Sequence, residues 1–230
     1  MNADALALPP IERVTLNELA YQRLKRALLS GRIEPGTTLT LRQLAAQLGT
    51  SMMPVRESIT RLSAENALEV LPNRGIVVPY LESSDAEDIW SLRIQLEGDA
   101  CARAARRAGA AQIEEIGALC RAVRVAAEAG DLYRVLECNS DFQFAVYQAA
   151  ASPVLLQLIE VLRMKSVPHC TAALRVLIAE RPDYYERSWE YHDRLVEAIA
   201  DGDAPRARRA KRADLREFRD FVNAVKGQHT

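Results

Sequence analysis

The chain has 230 residues, 49% of them hydrophobic and 27% charged, with a net charge of −1. That balance belongs to an ordinary globular protein of one large or two modest domains. No stretch approaches the roughly 18 apolar residues of a membrane span, and Met1–Pro10 lacks the basic and apolar regions of a secretory leader. The expected setting is therefore cytoplasmic, away from membranes.

Residues 1–14 read as an N-terminal tail, 15–79 as a first domain and 84–226 as a second, helical one. Residues 1–80 carry nine Lys/Arg against seven Asp/Glu, so the first part is slightly basic and the remainder slightly acidic. From Leu16 to Ser30 the apolar residues Leu16, Leu19, Ala20, Leu24, Ala27 and Leu28 predict one face of a helix. Gly31 ends it, and Glu34-Pro35-Gly36 forms a turn. Leu41–Leu48 predicts a second, short helix closed by Gly49. Thr50-Ser51-Met52-Met53-Pro54 then caps a third, which runs to about Glu65. A short helix, a tight turn and a second helix make a helix-turn-helix. Leu68–Leu71 and Ile76–Val78 are β-prone runs around Pro72-Asn73-Arg74-Gly75, which predicts a hairpin, or wing. That run ends near Pro79–Ser84, where Ser84-Asp85 can cap the next helix.

The segment RALLSGRIEPGTTLTLRQLAAQLGTSMMPVRESITRLSAENALEVLPNRGIVV resembles the winged helix-turn-helix of the GntR family of bacterial regulators over residues 15–79. Its blocks GRIEPG, LAAQLG, PVRES with RL, and NRG stand in the family's order. The resemblance implies a double-stranded DNA operator as partner. Arg42 and Arg56 become the main DNA-contacting arginines, since a planar guanidinium suits both guanine and phosphate. Ser51, Met52 and Met53 lie at the N-terminal end of the recognition helix, which enters the major groove. Arg74 and Gly75 match the wing tip. Met52 stands where the family usually has a basic residue, so one polar contact is missing. Arg61 has two readings, a DNA contact or an i,i+4 pair with Glu57.

The second part predicts helices over roughly 85–108, 111–129, 131–150, 153–166, 168–179, 183–201 and 204–226. The breaks fall at Gly109, Gly130, Ser152-Pro153, Pro168, Pro182 and Gly202. Short connections between such helices imply an antiparallel bundle. The fold class is thus mainly α, an N-terminal winged helix-turn-helix followed by a C-terminal all-helical antiparallel bundle. The cysteines Cys101, Cys120, Cys138 and Cys170 have no CxxC spacing and read as small core residues. Five polar residues interrupt the apolar faces: Arg93, Asn139, Gln143, His192 and Asp214. Burying them is costly unless they meet one another or a ligand, and convergence on one pocket is the economical reading.

The runs Leu92–Glu97, Asn139–Gln143, Tyr191-His192 and Glu197–Asp203 resemble the FCD sensor domain. The resemblance implies a homodimer with an effector pocket. It also implies a divalent metal held by an Asp, a His four residues later and two further His; the matching positions are Asn139, Gln143, His192 and Asp214. Only His192 keeps the residue type, and neutral amides are poor ligands for zinc or nickel. No metal cofactor is therefore expected, or at most a weakly bound divalent ion. The expected effector is a small organic acid bound directly, with Arg93 on its carboxylate. The expected function is a ligand-responsive transcriptional regulator, a repressor, and not an enzyme, since no paired acid and base or nucleophile stands out. The alternatives are a metal-dependent sensor built on the altered ligand set and an effector-free DNA-binding dimer.

Overall fold

Thr15 starts the first helix: its hydroxyl accepts from the Glu18 N–H at 3.2 Å, and α1 runs Leu16–Leu29. The computed structural model describes residues 15–72, 75–180 and 184–227. α2 (Leu41–Leu48) begins with a reciprocal capping box between Thr40 and Gln43 and ends at Gly49, whose φ of 64° is left-handed. α3 (Met52–Ala64) follows directly. β1 (Glu69–Val70) and β2 (Ile76–Val77) pair antiparallel, with Val70 opposite Ile76, and the Leu71 N–H donates to the Gly75 carbonyl at 2.8 Å. Leu39 adds a short bridge to Ile76 that the sequence pattern did not reveal.

The inward face of α1 differs from the expected stripe. Leu16 and Leu19 are exposed, while Tyr21, Leu24, Leu28 and Leu29 are buried. Tyr21 decides this: its hydroxyl donates to Glu65 at 2.9 Å and its ring carries the Arg61 guanidinium at 3.6 Å. Arg61 pairs with Glu18 at 3.0 Å and Glu65 at 3.7 Å. The expected partner Glu57 instead accepts from Asn17.

The second part comprises α4 (Ser83–Arg107), α5 (Ala110–Glu128), α6 (Leu132–Ala149), α7 (Pro153–Glu180), α8 (Tyr184–Ala200) and α9 (Ala204–Gly227). Asp131 and Asp203 cap α6 and α9 through the Arg134 and Arg206 N–H groups. The N-cap of α4 is Glu82, without a side-chain bond, so Ser84 and Asp85 lie inside the first turn rather than capping it. α4 is the hub, packing against α6, α7, α8 and α9. Small residues such as Ala100, Ala104, Ala198 and Ala207 let the helices approach closely around Phe142, Val146, Leu195 and Ile199. Cys101, Cys138 and Cys170 are buried and Cys120 is partly so; all four remain thiols. Burial pushes the Cys101 thiol up to about 12, which makes it a core residue rather than a nucleophile.

A break at Pro168 does not occur: α7 is continuous, with the proline inside it. Proline removes one helical hydrogen bond, but the residues around it are held from outside. Cys170 and Ala173 pack with Trp90, Ile94 and Leu215, and the Thr171 hydroxyl donates to the Gly31 carbonyl at 3.3 Å. Periodicity broken by a proline cannot register those contacts.

The two domains dock through α1 and α7. Met164 of α7 is buried in the core of the winged domain, flanked by Phe144 and Val161. Around it run Lys25–Glu160 at 2.6 Å, Arg26–Asp141 at 2.6 Å, Arg32–Glu137 at 2.8 Å and Arg175–Glu34 at 3.3 Å. Most of these pairs are exposed, each contributing less than about 1 kcal/mol. Gly31, with a φ of +64°, lies so close to α7 that a Cβ would stand 2.0 Å from the Thr171 hydroxyl. Gly31→Ala is expected to lower the melting temperature and loosen the docking. Adding Thr171→Ala should recover part of the loss, leaving the cost of a left-handed alanine, about 1–2 kcal/mol. Thermal denaturation of the single and double variants checks this; equal destabilisation would show that the Thr171 contact is not the cause.

Candidate functional site

One candidate site lies on the winged domain. The left-handed Gly49 and the extended Ser51 turn the chain sharply between α2 and α3, presenting the N-terminus of α3 to solvent. Ser51, Met52, Met53 and Arg56 are all exposed there, as is Arg42 on α2. Arg42, Met52 and Arg56 line one groove with Thr40, Thr60 and the strand residues Val70 and Ile76. Neither arginine has an ion-pair partner among the described residues, whereas Arg61 is committed to Glu18 and Glu65. Two uncommitted guanidiniums on one open face suit a polyanion. Arg74 lies outside the described residues; Gly75, immediately before β2, is buried.

The second site is a cavity of about 100 Å³ inside the helical domain. The five polar residues singled out from the sequence, Arg93, Asn139, Gln143, His192 and Asp214, all line it. They come from α4, α6, α8 and α9. Helix α7 adds Arg163, Val167 and Thr171, and α1 of the winged domain contributes Leu29.

At its base is an ion cluster that sequence reasoning missed. Glu97 is completely buried. Its carboxylate meets Arg93 Nε at 2.7 Å, Arg163 Nη1 at 3.3 Å and Lys211 Nζ at 3.5 Å, and it accepts from the Tyr147 hydroxyl. Burial alone would raise the Glu97 pKa, but the three cations outweigh it and hold the carboxyl well below the usual range. Arg93 is bound into this cluster, with Nη1 donating to Ser166 at 3.1 Å and the guanidinium over Trp90 at 4.7 Å. The i,i+4 spacing of Arg93 and Glu97 was the available signal; Arg163 and Lys211 had none, because their partners lie on other helices.

Lys211 contacts two of the four positions to which the resemblance assigns a metal, Gln143 and Asp214. Its Nζ donates to Gln143 Oε1 at 2.8 Å and meets Asp214 Oδ2 at 3.3 Å. The Gln143 amide in turn donates to Asn139 Oδ1 at 3.4 Å. One imidazole, one carboxylate and two amides, with an ammonium bonded to the carboxylate and one of the amides, do not fit a zinc or nickel ion. Two buried nitrogens of residues on the cavity wall, His192 Nδ1 and Arg163 Nε, have no hydrogen-bond partner among the described residues. Burial lowers the His192 pKa, against the opposing pull of Asp214, so its imidazole is neutral near pH 7.

Both domains match known family models. Residues 16–78 match the bacterial regulatory proteins of the gntR family and residues 88–217 match the FCD domain. The chain is 32% identical to the HTH-type transcriptional regulator McbR of Escherichia coli K12 over 158 residues, 69% of this chain and 72% of that one. It is 21% identical to the E. coli HTH-type transcriptional repressor RspR over 94% of this chain and 92% of the relative. The solved structure of E. coli McbR/YncC superposes with a TM-score of 0.80 at 29% identity, covering 94% of this chain and 99% of that one. These are transcriptional regulators and not enzymes.

Two predictions follow from the geometry. Arg56→Ala and Arg42→Ala should each weaken DNA binding roughly 10–100-fold, about 1–3 kcal/mol, with the melting temperature unchanged because neither side chain has an ion pair among the described residues. Anisotropy titrations with operator DNA beside thermal melts separate the two effects. Glu97→Gln leaves three buried cations short of an anion and should cost about 3–5 kcal/mol. Because the folded carboxyl ionises below its usual 4.5, its contribution is complete at neutral pH and is lost as the pH falls below that value. Urea unfolding from pH 7 to pH 3 should therefore show the gap between wild type and Glu97→Gln narrowing on acidification; a constant gap would count against this account.

Proposed function

We propose a regulatory cycle for this chain, which belongs to the gntR family of bacterial regulatory proteins and carries an FCD domain: a cytoplasmic homodimer represses transcription at its operator and responds to a small organic acid, without a metal cofactor. A C2 dimer sets two α3 helices in successive major grooves, about 34 Å apart, over a pseudo-palindromic site. Val154 and Leu158, exposed on α7, supply apolar surface of the kind such an assembly covers. The relative RspR is itself named a repressor.

The observation that carries the reading is the position of Leu29. It belongs to α1 of the winged domain, yet it lines the helical domain's cavity. A ligand there touches α7 and α1 at once, at the seam where Thr171 meets Gly31. A ligand shifts DNA affinity only by preferring one docking arrangement over another, and this contact gives it the means. The unpartnered His192 Nδ1 and Arg163 Nε favour an occupant rich in oxygen.

A second reading, a DNA-binding dimer without effector, draws on a different observation. Arg93, Asn139, Gln143 and Asp214 already find hydrogen-bond or ion-pair partners within the protein. The test is a titration of the purified protein onto DNA selected from random sequence, with and without millimolar organic acids, alongside its mass by light scattering. A palindromic site bound by a dimer and weakened by an acid supports the cycle. A site whose affinity no acid alters, with no thermal shift, supports the effector-free reading, and a monomer on DNA overturns both.

A further inference from the structure

We propose that the Lys211 ammonium is the resident cation of the cavity, that it excludes a divalent metal, and that it receives the carboxylate of a singly charged effector. The effector part rests on the ligand-responsive reading above; the metal-excluding part does not.

Lys211 is almost wholly buried, its side chain 2% exposed. Oxygens from three helices converge on its Nζ: Gln143 Oε1 at 2.8 Å from α6, Asp214 Oδ2 at 3.3 Å from α9 and Glu97 Oε2 at 3.5 Å from α4. A single ammonium drawing oxygens from separate helices does the structural work of a bound ion. A zinc ion at about 2.0–2.2 Å from Gln143 and Asp214 would share their lone pairs with that ammonium and stand against its charge. The replacement of the family's ligand types at Asn139, Gln143 and Asp214 and the buried cation beside them are thus one change.

The charges round the cavity define its occupant. Arg93, Arg163 and Lys211 are positive, Glu97 and Asp214 negative, and His192 is neutral. One positive charge remains, which one carboxylate balances. Glu97 is held by Arg93 at 2.7 Å, and two of the three Lys211 contacts are long, Asp214 at 3.3 Å and Glu97 at 3.5 Å, so an effector carboxylate would take the place of one of them on Nζ. Arg163 Nε, a donor without a partner among the described residues, supplies a second contact. The volume, about 100 Å³, is below the roughly 150 Å³ that holds a benzene ring. A short acid of about two to four carbons fits that space, and a flat aromatic one does not.

Three measurements on the full-length protein test this. Zinc titrated into wild type against a chromophoric chelator should not bind tightly; stoichiometric tight binding overturns the proposal. The combined variant Asn139→Asp, Gln143→His, Asp214→His should bind zinc at least tenfold more tightly when Lys211→Ala is added. Equal affinity with and without Lys211 overturns the metal-excluding role. Finally, acetate, lactate and pyruvate should raise the melting temperature of wild type, whereas acetamide and lactamide should not, and Lys211→Met should bind the acids at least tenfold more weakly. Undiminished acid binding by Lys211→Met overturns the role of Lys211 and leaves the effector reading standing. Acids without effect on wild type overturn the effector assignment, and the zinc comparison still decides whether Lys211 holds the cation position.

Discussion

Everything in the helical domain turns on one buried carboxylate. Glu97 sits at the middle of α4, the helix that touches α6, α7, α8 and α9, and it is neutralised by one cation from α4 itself, one from α7 and one from α9. A buried carboxylate without such partners would be protonated or would not be tolerated. Its demand for charge draws Arg163 and Lys211 inward and so fixes the rotation of α7 and α9. The same demand builds the cavity, since the far sides of those side chains become its wall. Tyr147 and Gln143 complete the network from α6.

The second organising feature is the seam between domains. It combines one buried apolar anchor, Met164, with several exposed ion pairs and one close backbone approach at Gly31. Such a joint is specific in geometry but modest in strength, because exposed pairs contribute little and are screened by salt. That combination suits a regulator. An interface held mainly by a large apolar area would be too stable for a small molecule to shift, whereas this one places Leu29 against the cavity, where the proposed effector would compete with docking.

The DNA-reading half was legible in fine detail. The bounds of α2, the start of α3, the hairpin and the exposure of Arg42 and Arg56 all follow from local signals: the capping box at Thr40 and Gln43, the left-handed Gly49 and short alternating runs. The stripe of α1 was shifted, because Tyr21 is drawn inward by Glu65 and Arg61, residues some forty positions away. Pro168 misled for a related reason. A proline is a strong local signal, and only the contacts of α7 with α1, α4 and α9 outweigh it.

For the sensor cavity the sequence supplied the wall and not the charge. Arg93, Asn139, Gln143, His192 and Asp214 were identifiable as polar residues on apolar helix faces, and that alone determined that they converge, because burial forces such groups to find partners. Which partners they find was decided by the tertiary structure. Arg93 reads from sequence as the ligand's anchor, but it is engaged by Glu97 one turn along. Lys211 reads as one more cation in the basic helix α9, yet it is the charge at the centre of the site. Helical periodicity specifies the face on which a residue lies, whereas the pairing of charges depends on which faces meet, and only packing of the helices sets that.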